Sequence, residues 1–187
     1  MHKTNKALVI EEAANDLFIE NGINNTSVND IAKKANIAKG TFYLYYKDKD
    51  TLVKECVLKK GISIFNDIAA KSYIESKESE CAWSICLTKS AMNYFIVNPT
   101  TLAFLFQNHF QCIVSIKDLT PTLLNFVDYL KNNHCSVECA FNKLIIILDM
   151  ITSTTYGVLE HQNPHSIDEV NNLLVHLIEH ITEFMED

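Results

Sequence analysis

Residues 27–52 read SVNDIAKKANIAKGTFYLYYKDKDTL, and this stretch decides the fold. Thr26 or Ser27 can cap a helix, and Asp30, three residues after Ser27, puts a carboxylate at the positive helix N-terminus. Ile31, Ala32 and Ala35 then face inward at helical spacing. Asn36 falls in a turn whose backbone needs a positive φ, which Asn tolerates better than most non-glycine residues. Ile37 plugs the core between helices, and a third, short helix is expected over residues 38–45. Two short helices joined by a tight turn form a helix-turn-helix, which presents its second helix to the DNA major groove.

The flanks complete a trihelical unit. Thr4 or Asn5 can cap a first helix whose apolar stripe is Ile10, Ala13, Ala14, Leu17 and Phe18, and Asn21-Gly22 ends it because Gly readily takes the left-handed conformation of a C-terminal cap. After the motif, Lys47-Asp48-Lys49-Asp50 is a polar break. Asp48 can cap a long fourth helix reaching about residue 71, with Leu52, Val53, Val57 and Leu58 on its inner side.

Composition bounds the rest. The 187 residues are 48% hydrophobic, with only four Gly and three Pro, which favours long helices over a turn-rich strand fold. No apolar run reaches the roughly 18 residues that span a bilayer. The start of the sequence lacks an apolar signal core, so a cytoplasmic location without membrane contact is expected. Charge is uneven. Residues 1–60 hold ten Lys against eight acidic residues, whereas residues 61–187 hold six against fifteen. A protein that gathers its lysines on one small face binds DNA despite an acidic whole. The chain contains no Arg, so the bidentate Arg readout of guanine is not open to it.

Cys56, Cys81, Cys86, Cys112, Cys135 and Cys139 read as reduced, buried small hydrophobes. Cys135 and Cys139 can share a helical face, and His109 and His134 lie near other cysteines, but no CxxC pair or four-ligand spacing occurs, so no metal and no cofactor are expected. There is also no Gly-rich phosphate loop, no metalloprotease His pair and no nucleophile elbow, which argues against an enzyme.

Residues 10–53 resemble the DNA-binding domain of the TetR family of bacterial transcriptional regulators. The resemblance rests on Phe18-x3-Gly22, Thr26-Ser27-Val28-x-Asp30-Ile31-Ala32, Ala35-x-Ile37, Lys39-Gly40-Thr41-Phe42-Tyr43 and Tyr45-Tyr46-x2-Lys49-x2-Leu52. Asn36 stands where the family usually has Gly, and Tyr46 where it usually has Phe. The resemblance implies an all-α protein: a three-helix helix-turn-helix domain over residues 1–50 and a helical ligand-binding and dimerisation domain over 51–187, about nine helices in all. It implies a repressor that binds a palindromic operator as a homodimer and is released by a small-molecule effector. Two alternatives stay open: a metal- or thiol-responsive DNA-binding regulator, and an activator of the same fold.

Within the reading head, Lys39, Thr41 and Leu44 are expected to face base edges, with Gly40 allowing close backbone approach. Tyr43, Tyr45 and Lys49 resemble family positions that bind phosphates, Lys49 helped by the dipole of the fourth helix. Ser27 and Asn29 are candidates for the DNA backbone. Lys33 and Lys34 fit a solvated face, Phe42 is expected in the core, and Tyr46 fits either core or DNA edge.

Beyond residue 60, amphipathic helices are expected over 78–97, 100–113, 120–133, 136–161 and 166–185, with Asn98-Pro99 and Asn163-Pro164 as breaks. The last two helices are apolar on more than one side. Leu144, Leu148 and Ile151 on one, with Val170, Leu174, Leu177 and Ile181 on the other, are expected to form a four-helix dimer interface, an arrangement the resemblance also implies. Such a dimer sets two heads on half-sites about 34–36 Å apart. The middle helices would hold the effector. Trp83, Met92, Phe95, Phe104 and Phe110, with Phe126, Tyr129, Met150, Tyr156 and the polar His109, are candidates to line its cavity. Aromatic residues at helical spacing serve ordinary core equally well.

Overall fold

The computed structural model describes residues 3–131, 135–160 and 166–184. Among the described residues the chain is all helical. Its helices are α1 (Lys3–Asn21), α2 (Val28–Lys34), α3 (Lys39–Phe42), α4 (Lys49–Glu78), α5 (Trp83–Val97), α6 (Pro99–Gln107), α7 (Phe110–Ile113), α8 (Pro121–Leu130), α9 (Val137–Glu160) and α10 (Ile167–Phe184), with a 3-10 turn at Ile116–Asp118. No helix among the described residues is long and apolar enough to cross a membrane.

The chain divides into two compact units, Met1–Lys60 and Gly61–Asp187. The division lies beyond residue 50 because the first turns of α4 complete the amino-terminal core. Leu52, Val53, Cys56 and Val57 are buried there with Ile10, Ala14, Phe18, Ile31 and Phe42. In the second unit α9 is central, packed on α5, α6, α8 and α10. One charged residue interrupts its buried face: Lys143 is wholly buried, and its amine meets no hydrogen-bond partner among the described residues. Such a burial costs free energy that the surrounding core must offset.

Several boundaries differ from the sequence reading. α1 already runs from Lys3, so Thr4 and Asn5 lie inside it rather than capping it. α3 stops at Phe42, and residues 43–45 continue as a turn. α4 extends to Glu78, and α5 begins only at Trp83. The helix expected over 100–113 is two helices, which makes ten rather than nine. His109 sits at φ 51 between them, and the Asn108 side chain donates to the Phe104 carbonyl at 2.7 Å, closing the end of α6. α8 ends at Leu130; Asn132, Asn133, His134, His161, Asn163, Pro164 and Met185 lie outside the described residues. The expected cap at Asp48 does form, its side chain accepting from Thr51 N, and Ser136 and Ser166 cap α9 and α10 in the same way, accepting from Cys139 N and Glu169 N.

Candidate nucleic-acid interface

The geometry of the head follows from a few local bonds. At α2, Asp30 N donates to Ser27 Oγ at 3.2 Å, while Ser27 N and Oγ donate to the Asp30 carboxylate at 2.9 and 2.6 Å. These two Ser27 bonds, the hydroxyl foremost, hold the Asp30 carboxyl below the usual carboxylate range. A lowered carboxyl contributes stability above its ordinary pKa and loses it as pH falls through the folded value, so the box is fully formed at neutral pH. Asn36 has the expected positive φ, 51°, and Ile37 N donates to the Ala32 carbonyl at 2.9 Å, which brings the chain back for α3.

α3 is fixed by its buried face. Phe42 has no exposed surface and meets Tyr43 and Tyr46 edge-on or tilted, at ring-centroid distances of 5.3 and 5.8 Å. The opposite side is open: Lys39, Gly40, Tyr43 and Leu44 are exposed, Thr41 and Tyr45 half-buried. Leu44 is 76% exposed, an apolar side chain with no place in the core. Asn29 is exposed on α2 near the same turn, while the Ser27 hydroxyl is engaged by Asp30.

Gly40 is informative for what surrounds it. A Cβ placed there meets nothing within 4 Å, and its φ lies outside the left-handed range. The fold therefore does not require glycine at this position. Gly22, by contrast, has φ +81 and ends α1 as expected.

Two lysines carry internal bonds beyond their expected roles, and Tyr46 takes the first of its two expected places. Lys49 donates to the carbonyls of Ile23 and Thr26 at 2.8 and 3.0 Å, so two of its three N–H groups already tie the α1–α2 loop to α4. Lys34 lies within 3.3 Å of Asp16 and 3.4 Å of Glu20, paired to α1 rather than simply solvated. Tyr46 is core, not edge: it is 6% exposed and donates its hydroxyl to the Glu11 carboxylate, which also accepts from Lys59 Nζ at 2.8 and 2.9 Å. Burial and Glu11 push the Tyr46 phenol well above its ordinary pKa. Burial pushes the Cys56 thiol, beside Glu11, up to about 12. Nothing in residue spacing marks the Glu11–Tyr46–Lys59 contact, since the three come from distant segments. Replacing Lys49 by Ala is expected to lower the stability of the head by about 1–2 kcal/mol, because two charge-assisted bonds are lost. A denaturant melt of the variant checks this, and an unchanged midpoint would return Lys49 to a purely external role.

The aromatic residues expected to line a cavity fall into separate groups. Met92, Phe95, Phe104, Phe110 and Phe126 are buried core. Phe110 stacks on Phe65 at 5.7 Å, and Phe65 meets Phe95 at the same distance. Tyr156 stacks on Phe106 at 4.4 Å and accepts from Gln107 at 3.0 Å. Met150 is half-buried, and His109 is exposed rather than facing a cavity. Trp83 and Tyr129 do line a cleft of about 700 Å³, together with Ala70, Tyr73, Ile74, Thr122, Asn125 and Asp128. Among the described residues no group of three or more His, Cys, Asp or Glu is arranged to hold a metal.

The residues expected at a dimer interface are mostly internal. Leu144, Leu148, Ile151, Val170 and Leu174 are buried within the unit, because they form the stripe that covers its own core. Leu177 is 52% exposed and Ile181 half-buried. The second apolar stripe is instead Leu173 and Leu177 on α10, with Ile146 and Leu159 exposed on α9.

Comparison with known proteins agrees with this architecture. Residues 10–56 match the model of the family described as bacterial regulatory proteins, tetR family. An uncharacterised HTH-type transcriptional regulator of Haemophilus influenzae is 31% identical over 127 residues, covering 66% of this chain. The chain in turn spans 64% of that relative's length. Among solved structures, a TetR transcriptional regulator from Rhodococcus sp. RHA1 aligns over 100% of both chains with a TM-score of 0.61 and 12% identity. The transcriptional regulator FadR from Bacillus subtilis, solved in complex with stearoyl-CoA, aligns over 91% of this chain and 96% of its own, with a TM-score of 0.56 and 19% identity. At these identities the structural likeness speaks for the fold.

Proposed function

Since the chain belongs to the TetR family of bacterial regulatory proteins, we propose that it is a transcriptional repressor that binds a palindromic operator as a homodimer and is released by a small-molecule effector. The observation that carries this reading is the outer side of α3. Lys39, Gly40, Thr41 and Leu44 stand clear of a core anchored by Phe42, and Gly40 is a glycine that the fold itself does not demand. A surface held rigid from behind, with bare backbone at its centre, suits approach to the floor of a groove. Tyr43 supplies a phosphate donor, and Lys39 and Thr41 offer an ammonium, a hydroxyl and a methyl to base edges. Without Arg, discrimination rests on such smaller contacts, and pairing of two heads supplies the affinity. The exposed Leu173–Leu177 stripe is the surface for that pairing.

Release by an effector needs only that the effector bind two conformations of the dimer unequally. The FadR neighbour, with its bound stearoyl-CoA, supports a small molecule as the class of effector.

Selection from random duplexes tests the proposal: an inverted repeat with half-sites about one helical turn apart is the expected motif. Gly40→Ala gives the sharper result. Ala is the better helix former by about 1 kcal/mol and meets no neighbour here, so the variant melts at or above the parent temperature. Its operator affinity is expected to fall about tenfold, equivalent to 1.4 kcal/mol. Unchanged binding by Gly40→Ala would remove α3 as the docking element.

A further inference from the structure

The cleft bounded by Tyr73, Trp83, Asp128 and Tyr129 has a definite chemistry, and we infer that it is a binding site for an organic ammonium cation. The cleft lies wholly within the second unit, between the later turns of α4, the start of α5 and the outer side of α8. Trp83, 6% exposed, is its floor. Tyr73 and Tyr129, 45% and 42% exposed, stand at its mouth.

The rings present faces in different directions. Tyr73 meets Trp83 at 4.8 Å and 63°, and Tyr129 meets Trp83 at 5.6 Å and 59°. Phe126, fully buried, backs this arrangement edge-on to Trp83 at 4.8 Å and stacked on Tyr129 at 5.6 Å. The rings therefore support one another and need not reorganise to receive a ligand. A cation seated between such faces is attracted by several ring quadrupoles at once, as in aromatic cages for quaternary ammonium groups.

The polar lining agrees in sign. It consists of Thr122, Asn125 and Asp128, and no Lys or His lines the cleft. The Asp128 carboxylate is exposed and forms no ion pair among the described residues. The indole N–H of Trp83 is turned away from any ligand: it donates to the Ala69 carbonyl at 3.2 Å and to Ser72 Oγ at 3.1 Å. What remains of Trp83 is its apolar ring. Among the lining residues an anion would find one carboxylate and no cation, Lys77 standing outside the lining beside the Tyr73 ring; an ammonium finds a counter-charge and the π-faces of Trp83 and Tyr129. The chain already uses one of these rings in this way, since Lys77 Nζ lies 5.3 Å from the Tyr73 centroid. A volume of about 700 Å³ suits a ligand of drug size.

The binding claim stands on the cleft alone, and only its regulatory consequence rests on the proposed function. Trp83 is the one tryptophan of the chain, so its fluorescence reports the cleft directly. The full chain is titrated with benzyltrimethylammonium, with its uncharged isostere neopentylbenzene and with phenylacetate. The cation is expected to change Trp83 emission saturably and to bind roughly tenfold more tightly than either comparison compound. Asp128→Asn, at an exposed position, is expected to weaken the cation roughly fivefold and leave the isostere unaffected. Tyr129→Leu should weaken the cation more than the isostere. Equal affinity for all three compounds, preference for phenylacetate, or an Asp128→Asn variant that binds the cation as the parent does, would each overturn the inference. The same titration with operator present separates the two claims. Cation binding without operator release leaves the cation site standing and refutes its role as effector site.

Discussion

Replacing Leu173 and Leu177 together by Asp is expected to yield a monomeric chain whose affinity for a two-half-site operator falls roughly 10²–10⁴-fold, with binding to a single half-site unchanged. The two leucines are 60% and 52% exposed and stand four residues apart on α10, so they share one outward face. The inward face of the same helix, Val170, Leu174 and Ile178, is buried and left intact, so the unit retains its fold. Across a two-fold axis each new carboxylate confronts like charge while losing water, which opposes association strongly. Sedimentation gives the mass, and titrations against full and half operators give the two affinities. A variant that remains dimeric would move the interface elsewhere.

Gly61→Ala is expected to destabilise the second unit by about 1–3 kcal/mol, although Ala ordinarily strengthens a helix interior. A Cβ at this position would lie 2.2 Å from Cε2 and 2.4 Å from Cδ2 of Phe110. That ring cannot swing aside easily. It is 1% exposed and lies flat on Phe65, which is itself braced by Phe95. Overpacking against a confined ring therefore outweighs the gain in helix propensity. Thermal melts of parent and variant measure the difference. Phe110→Leu in the Gly61→Ala background should recover part of the loss, because the smaller side chain vacates the overlap. A Gly61→Ala protein melting at or above the parent would show that the ring has room to move.

The head was legible because its signals are local. Ser27 with Asp30, Asn36 at positive φ and Phe42 facing inward each depend on neighbours a few residues away. What escaped depends on contacts that sequence spacing does not encode. The engagement of Lys49 by the Ile23 and Thr26 carbonyls joins positions more than twenty residues apart. The break at His109 carries no Gly or Pro to announce it: His109 takes φ 51, and the next residue, Phe110, lies against Phe65 and Gly61, contacts with distant segments. On α9 and α10 the sequence shows two apolar stripes without saying which one the unit keeps for itself. The structure gives Leu144, Leu148 and Leu174 to the interior and leaves Leu173 and Leu177 outside. The cleft was half legible: Trp83 and Tyr129 stood out as aromatic, whereas Tyr73, Asn125 and Asp128 had no distinguishing pattern until α4 and α8 were side by side.

The Glu11 carboxylate, shared by Tyr46 and Lys59, bears on how salt titrations of this protein read. Its bond to the buried phenol is shielded from mobile ions, whereas Lys39 on the outer side of α3 is not. Raising ionic strength should thus detach the head from a polyanion long before it loosens the head itself. The slope of affinity against salt then counts phosphates released rather than protein melted, and circular dichroism holding steady through the dissociation midpoint is its signature.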